Sequence, residues 1–388
     1  MKRILIISDI CLSNDYVAGN KNALLSLVDY LCSHPGIEID FLNFHHKKPD
    51  SNFPENCRIL HYPDIFNLTV RKLLGFLGWQ KGLLKYKKSI FRKLTTCCVS
   101  RFNEYDLVFI EYLENYHLIN CFSSNKTKKI CDIHDVMTLR KKSFSTQGKL
   151  PKLENLDIEL DDEISTLNQF DVIMAIEESE AVFLSSRVSH ADVILCKRTL
   201  FPNVEISSRS ISSPRELVLG FIGSRAEFNQ DVFFNHILPI WNNCLSGLGF
   251  KLVIAGAISE IIMSNLDDIH GDIKILGKLD DLKEFYEQID VSLNPIWAGS
   301  GFKTKNAEAL SYGKPVITTA LGAMGFEGVS EKYMMRISDS NHESWLLTLS
   351  HLFDEYIKDE NYNLKCHSEF KKNFGIKKNY TQLEKYIS

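Results

Sequence analysis

The sequence predicts an α/β protein built as two doubly wound, mostly parallel sheets. Three observations carry that expectation. Short continuous apolar runs such as "RILIISD" near the start have the pattern of strands buried on both faces in a parallel sheet. These runs alternate with longer stretches of helical periodicity, so strand and helix take turns along the chain. Residues 201–216, "FPNVEISSRSISSPRE", break the rhythm with proline and serine, after which the alternation starts again. At 388 residues the chain exceeds one core of ordinary size and should divide into about two domains.

In order, the first domain opens on "RILIISD" and a loop through Gly19 and Asn20. In "NALLSLVDYLCSHPG" that follows, Leu24, Leu25, Leu27, Val28 and Leu31 line one helical face, and Pro35-Gly36 ends it. Strands are expected at "IEIDFLNF", "DLVFIEY" (106–112), "KKICDIHD" (128–135) and "DVIMAI" (171–176). After the break come "LVLGFIG" (217–223), a helix near 230–246, "KLVIAG" (251–256), "IKILG" (273–277) and a helix at "LKEFYEQI" (282–289). Then follow "VSLNPI" (291–296), a helix from Lys303 to Tyr312, "PVITT" (315–319), a helix near 341–357 and a polar tail with an apolar stripe. The expected domains are 1–200 and 217–370, joined by the linker 201–216, with a C-terminal helix in 371–388 packing back on the first domain. Ligands of such sheets sit at the carboxyl ends of the strands.

Composition narrows the function. A hydrophobic content of 44% and a charged content of 24% are those of a soluble globular protein. Ten cysteines are scattered without a Cys-x-x-Cys pair or a histidine at zinc-like spacing, so no metal ligands are assigned and reduced thiols in a cytosol are expected. The apolar run in "MKRILIISD" is too short for a secretion signal, and no run of about 18 apolar residues occurs, so neither that export route nor a membrane span is expected. Net charge is −4, and residues 1–200 hold 26 Lys and Arg against 25 Asp and Glu, which argues against general nucleic-acid binding. One window departs from that balance. Between Asp64 and Glu104 no acid occurs, while nine basic residues from Arg71 to Arg101 interleave with Leu73, Phe76, Trp79, Phe91 and other large apolar side chains. The pattern fits an amphipathic helix with a solvated basic face, or contact of 71–101 with an anionic membrane surface by a peripheral, cytoplasmic protein.

The stretch "NPIWAGSGFKTKNAEALSYGKPVITT" (294–319) carries the chemistry. A strand ends, Gly299-Ser300-Gly301 turns the chain, and a helix begins with Lys303 and Lys305 in its first turn and stops at Gly313 and Pro315. Cations are unfavourable where unpaired N–H groups and the helix dipole already present positive potential. A bound anion removes the conflict, and phosphate is the commonest one at such a glycine turn and helix start. Glu308, three residues beyond Lys305, shares its face and can accept hydrogen bonds from sugar hydroxyls. Phosphate with hydroxyls describes a nucleotide. The alternative is a solvated pair of lysines with Glu308 merely pairing to Lys305.

The blocks "GFIGSRAEFNQDVFFNHILPIW" (220–241) and "ILGKLDDLKEFYEQIDVSLNPIWAGSGFKTKNAEALSYGKPVITTALGAMGFEGV" (275–329), with "DIHD" (132–135), resemble retaining GT-B fold glycosyltransferases of family 4. The resemblance implies two Rossmann-like domains facing across a cleft, the first taking the acceptor and the second the nucleotide-sugar. It implies that Gly223, Ser224 and Arg225 form a loop at the diphosphate, that Asn229 is a polar group before the following helix, and that Leu276, Gly277 and Leu279 edge the base. Ser300, Gly301, Phe302 and Lys303 fall in the donor-binding turn, Lys305 on the phosphates and Glu308 on the ribose. Gly19 matches a glycine loop near the diphosphate, and His134 a histidine near the donor sugar. A histidine after a strand is otherwise structural, and Glu177, Glu178 and Glu180 in "AIEESEA" are either acceptor contacts or helix-start carboxylates. Ser300 stands where the family often has a second glutamate.

The reaction so implied moves a sugar, with retention, from a nucleotide-diphosphate sugar to a hydroxyl of a glycan or lipid-linked glycan, in bacterial surface polysaccharide synthesis. A UDP-sugar is the favoured donor. With Arg225, Lys303, Lys305 and the helix N-terminus stabilising the leaving diphosphate, no metal is required. Alternatives are a catalytically degenerate nucleotide-sugar or glycan binding protein, and a nucleotide-sugar epimerase.

Overall fold

A computed structural model describes residues 1–13, 19–45, 47–50, 53–61, 96, 99, 104–122, 126–146, 158–197, 205–206, 217–265, 269–337 and 342–388. The basic stripe of 71–101 lies outside these apart from Thr96 and Val99, and so does the 201–216 linker apart from Glu205 and Ile206. The chain forms two compact units. The first comprises Met1–Thr138, Asp157–Thr199 and Asn379–Ser388, and the second Leu139–Leu156 and Leu200–Lys378. The chain therefore changes unit at more places than a single break at 201–216 provides.

The first unit holds a seven-stranded parallel sheet in the order β3-β2-β1-β4-β5-β6-β7. Its strands are β1 (Lys2–Ser8), β2 (Ile37–Asn43), β3 (Cys57–His61), β4 (Leu107–Glu111), β5 (Lys128–Asp132), β6 (Val172–Ala175) and β7 (Asp192–Leu195). Ile4, Leu5, Ile6 and Ile7 of β1 are completely buried, as a central strand covered on both faces requires. Each such side chain contributes about 1.5–3 kcal/mol by leaving water. The edge strands β3 and β7 were not foreseen, because their partly exposed residues break the apolar run. Residues 379–388 close this unit: Tyr380 stacks on Tyr30 at 4.7 Å, and Gln382 accepts a 2.8 Å hydrogen bond from the Leu195 amide.

The second unit holds a six-stranded parallel sheet in the order β10-β9-β8-β11-β12-β13. Its strands are β8 (Val218–Ile222), β9 (Lys251–Ala255), β10 (Asp272–Gly277), β11 (Val291–Asn294), β12 (Val316–Thr318) and β13 (Met334–Arg336). The helix expected at 282–289 contracts to Lys283–Tyr286. The one expected near 230–246 runs over 227–245 with wide π turns at Val232–Ile237 and Trp241–Leu245 on either side of the short α segment that holds Pro239.

Strand order reverses between β1 and β4 in one sheet and between β8 and β11 in the other. Loops after those strands diverge there and leave room for a ligand. Gly19 follows β1, Tyr112 follows β4, Gly223–Arg225 follows β8 and Gly299–Lys305 follows β11. These four loops thus stand at the two switch points, whereas His134 follows β5 and Leu276, Gly277 and Leu279 lie at the end of the edge strand β10.

Candidate active site

In the second unit the decisive element is the helix Thr304–Ser311. Gly299 and Gly301 adopt φ of +113° and +70°, which a residue with a Cβ rarely takes, so the sharp turn before this helix needs both glycines. Lys303 is buried and donates to the Gly301 carbonyl at 2.5 Å. At the other end Gly313, φ +69°, closes the helix, its amide and that of Lys314 returning to Leu310 and Ala309. Beneath the loop, Asn294 donates to Asn306 at 2.5 Å, Asn306 to the Gly322 carbonyl at 2.8 Å, and Thr318 to the Asn294 carbonyl at 2.7 Å. This buried network fixes the loop to β11 and β12.

Lys305 reaches across to the β8 loop, where its ammonium donates to Oδ1 of Asn229 at 2.5 Å and lies 5.5 Å from the centroid of Phe221. Asn229 in turn donates to Ser224 Oγ at 2.8 Å. Protein surrounding the ammonium lowers its pKa from 10.5 to about 8, an effect that Glu308 opposes. Glu308 shows the reverse: burial raises its carboxyl to about 7, against the pull of a hydrogen bond from Tyr286 and of the Lys305 charge. Among the described residues no ion pair joins Lys305 to Glu308, so the simple surface pairing is not what forms. Gly223, Gly256 and Gly277 meet at the strand ends, the Gly256 amide bonding to the Gly277 carbonyl at 2.7 Å and the Ile258 amide to the Gly223 carbonyl at 3.1 Å.

In the first unit His134 Nε2 lies 2.8 Å from Oε2 of Glu111, which is fully buried at the end of β4. The Tyr112 ring stacks on the imidazole at 3.7 Å, and its hydroxyl accepts from Asn20 at 2.9 Å, beside Gly19. Tyr112 takes φ +64°, the one positive φ of a non-glycine residue among those described. Glu111, Asp132 and His134 each offer a ligand atom, all within 4.8 Å of one another, so this trio has the donors for a cation; the sequence offered Asp132 with Asp135 only as a weak metal candidate and assigned no ligands.

Residues 216–352 match a family model described as glycosyl transferases group 1. The second unit carries a glycosyl transferases group 1 domain. Solved structures share the fold of the whole chain. Sucrose-phosphate synthase of Thermosynechococcus elongatus is 12% identical with a TM-score of 0.68, over 99% of this chain and 98% of that one. TarM of S. aureus, in complex with fondaparinux, alpha-GlcNAc-glycerol and UDP, is 8% identical with a TM-score of 0.70 over 100% of both chains. HepE of Anabaena, in complex with UDP and glucose, is 14% identical with a TM-score of 0.63 over 99% of both. At these identities the likeness establishes the fold, which is GT-B. No curated protein sequence matches. The group 1 domain on this fold marks the chain as a glycosyltransferase.

The glycosyltransferase domain brings Gly223, Ser224, Asn229, Lys303, Lys305 and Glu308 to its switch point. Arg225 stays on the surface, 58% exposed, and pairs with Glu260, itself 55% exposed. Such a pair is weakly held, and an anion competes for the guanidinium at little cost. Phe302 is buried against Phe326 and Phe374, so it anchors the loop from within. Leu276, Gly277 and Leu279 are half-exposed at the end of β10. Ser300 is likewise half-exposed within the turn. In the first unit Glu177 caps a helix, accepting from the Ser179 and Glu180 amides at 2.9 and 3.1 Å, and Glu180 accepts from the Val136 amide at 3.4 Å. Glu177 thus takes the helix-start role. Sequence reasoning passed over Glu111, Tyr112, Gly256 and Tyr286. Only Glu111 left a signal, as an acid closing an apolar strand.

Proposed function

We propose that this glycosyltransferase moves a sugar, with retention, from a nucleotide-diphosphate sugar bound in the second unit to a hydroxyl of a glycan or lipid-linked glycan. The observation that carries the reading is the presence of Lys305 and Glu308 on one helix at the β8/β11 switch point, each bonded to a different partner, one suited to phosphate and the other to sugar hydroxyls. Lys303, Lys305, Arg225 and the N-terminus of Thr304–Ser311 offset the charge that develops on the departing diphosphate. In the first unit His134, held by Glu111, supplies a polar group to sugar or acceptor. A UDP-sugar is the favoured donor, and the cationic groups replace a metal. The lipid-linked acceptor and a role in surface polysaccharide synthesis draw support from the basic, apolar stripe of 71–101. Among the described residues no helix is long and apolar enough to cross a membrane.

Thermal unfolding of the full chain against UDP, GDP, ADP, CMP and dTDP, with EDTA present, tests the reading, since a ligand of the native state raises its stability by mass action. One nucleotide should raise the midpoint, and Glu308→Ala should remove the shift. A shift that appears only when Mg²⁺ replaces EDTA would transfer the charge-stabilising role to a cation, with Glu111, Asp132 and His134 as candidate ligands.

The two perturbed groups set the pH range. Glu308 accepts hydroxyls once ionised, above about 7, and Lys305 keeps its charge below about 8. Affinity for the nucleotide should therefore rise through the first value and fall through the second, giving a narrow bell in a calorimetric pH series. A flat response across both values would remove these two groups from the binding equilibrium.

A further inference from the structure

We propose that Tyr286 is a positioning residue of the donor site, orienting the Glu308 carboxylate to receive the ribose hydroxyls of the nucleotide. The inference rests on the nucleotide reading given above. Tyr286 ends the helix Lys283–Tyr286 just before β11 and is 1% exposed. Its hydroxyl donates to Oε1 of Glu308 at 2.8 Å. Tyr312, which closes the helix that bears Glu308, lies face to face with it at 4.4 Å between centroids and 14° between planes. The phenol is thus fixed by two elements, and its one donor is directed at one carboxylate oxygen. The other, Oε2, accepts no hydrogen bond from the described residues and keeps its full capacity for ligand hydroxyls.

Phenylalanine would fill this core position equally well, so the hydroxyl answers to the carboxylate alone. The groups that face Glu308 are Lys305 on its own helix, Tyr286, and Tyr312. Lys305 and Tyr286 favour the ionised carboxylate, and the enclosing protein disfavours it. Removing the Tyr286 donor leaves Lys305 as the remaining support for the charge.

The test is calorimetric titration of the full chain with UDP, GDP and ADP, each beside its 2′,3′-dideoxy form, over a pH series. Tyr286→Phe should weaken the bound ribonucleotide roughly 3- to 10-fold and leave the dideoxy form unchanged. The rising limb of the pH profile should move upward from about 7, because a donor that favours the ionised form has gone. In a Glu308→Gln background, Tyr286→Phe should have no further effect on affinity. Replacing Tyr286 with 3-fluorotyrosine retains the packing and strengthens the donor, so the same limb should move downward, and this holds the test should Tyr286→Phe fail to fold. Equal losses for the ribo and dideoxy forms, or an unmoved limb in either folded variant, would overturn the inference. Wild-type protein that binds none of the nucleotides would instead overturn the donor-site reading beneath it.

Discussion

Lys305→Ala should lower sugar transfer by about 10²- to 10³-fold, the loss found when one preorganised group facing developing negative charge is removed. The fold should survive. Lys305 has a folded pKa of about 8 against 10.5 when free, so its burial opposes folding. That opposition is complete below about pH 8 and disappears as pH rises toward 10.5, because across that interval the unfolded chain binds the proton and the folded chain does not. Removing the ammonium should therefore leave the unliganded midpoint near neutral pH unchanged or raised, while the shift produced by nucleotide is lost. Stability sacrificed to hold a charge where a ligand needs it is a mark of a binding site. Parallel measurement of turnover and of the unliganded midpoint reads both effects. A variant that transfers sugar at the wild-type rate would remove Lys305 from the site, and one that is strongly destabilised would make the lysine a structural strut.

The second large effect belongs to Gly256→Ala. Gly256 sits at φ +88°, and a Cβ placed there would lie 2.3 Å from the Gly223 carbonyl oxygen and 3.1 Å from its carbon and nitrogen. All three are backbone atoms at the end of β8, which cannot swing aside as a side chain would. The same residue binds the Gly277 carbonyl through its amide, so moving away breaks a contact with β10. Strain in the left-handed region costs about 1–2 kcal/mol by itself, and the clash brings the expected loss to about 3 kcal/mol or more. The displaced segment is Gly223–Arg225, so nucleotide affinity should fall together with the denaturation midpoint. Gly247→Ala is the control: its φ is not positive and nothing lies within 4 Å of the added carbon, so it should stay within about 0.5 kcal/mol of the parent. Equal behaviour of the two variants in denaturant would refute the role given to Gly256.

Legibility followed the distance along the chain over which each feature is written. β1 and β4 announce themselves because a central strand of a parallel sheet needs an unbroken apolar run, and β2 does so through Ile37, Ile39, Phe41 and Leu42 although Glu38 and Asp40 interrupt it. β3, β7 and β13 do not, since edge strands are short and half-wet and lose that pattern. The donor loop was readable because strand end, glycine turn, lysines and glutamate all fall within residues 294–319. Tyr286 was not. It stands 22 positions before Glu308 and looks like any apolar helix residue until the fold sets its hydroxyl on the carboxylate. Asn229 and Lys305 are 76 positions apart, and no local pattern predicts that bond. The trio of Glu111, Asp132 and His134 falls between these cases: each residue ends or follows a strand, but their convergence comes from the neighbouring positions of β4 and β5.

The grouping of residues 379–388 with the first unit has a consequence for the making of the protein. Synthesis proceeds from the first strand onward at about 5–20 residues per second, and domains generally begin folding as they emerge. Here the stack of Tyr380 on Tyr30 and the bond from Leu195 to Gln382 wait until residues 380 and 382 have been translated, after the whole of the second unit. The second unit, nested inside the first in sequence, has its strands complete by Arg336 and its packing around Phe302 complete with Phe374, both ahead of residues 379–388. The unit begun first is finished last. Until then its Tyr30 face lacks the ring that covers it.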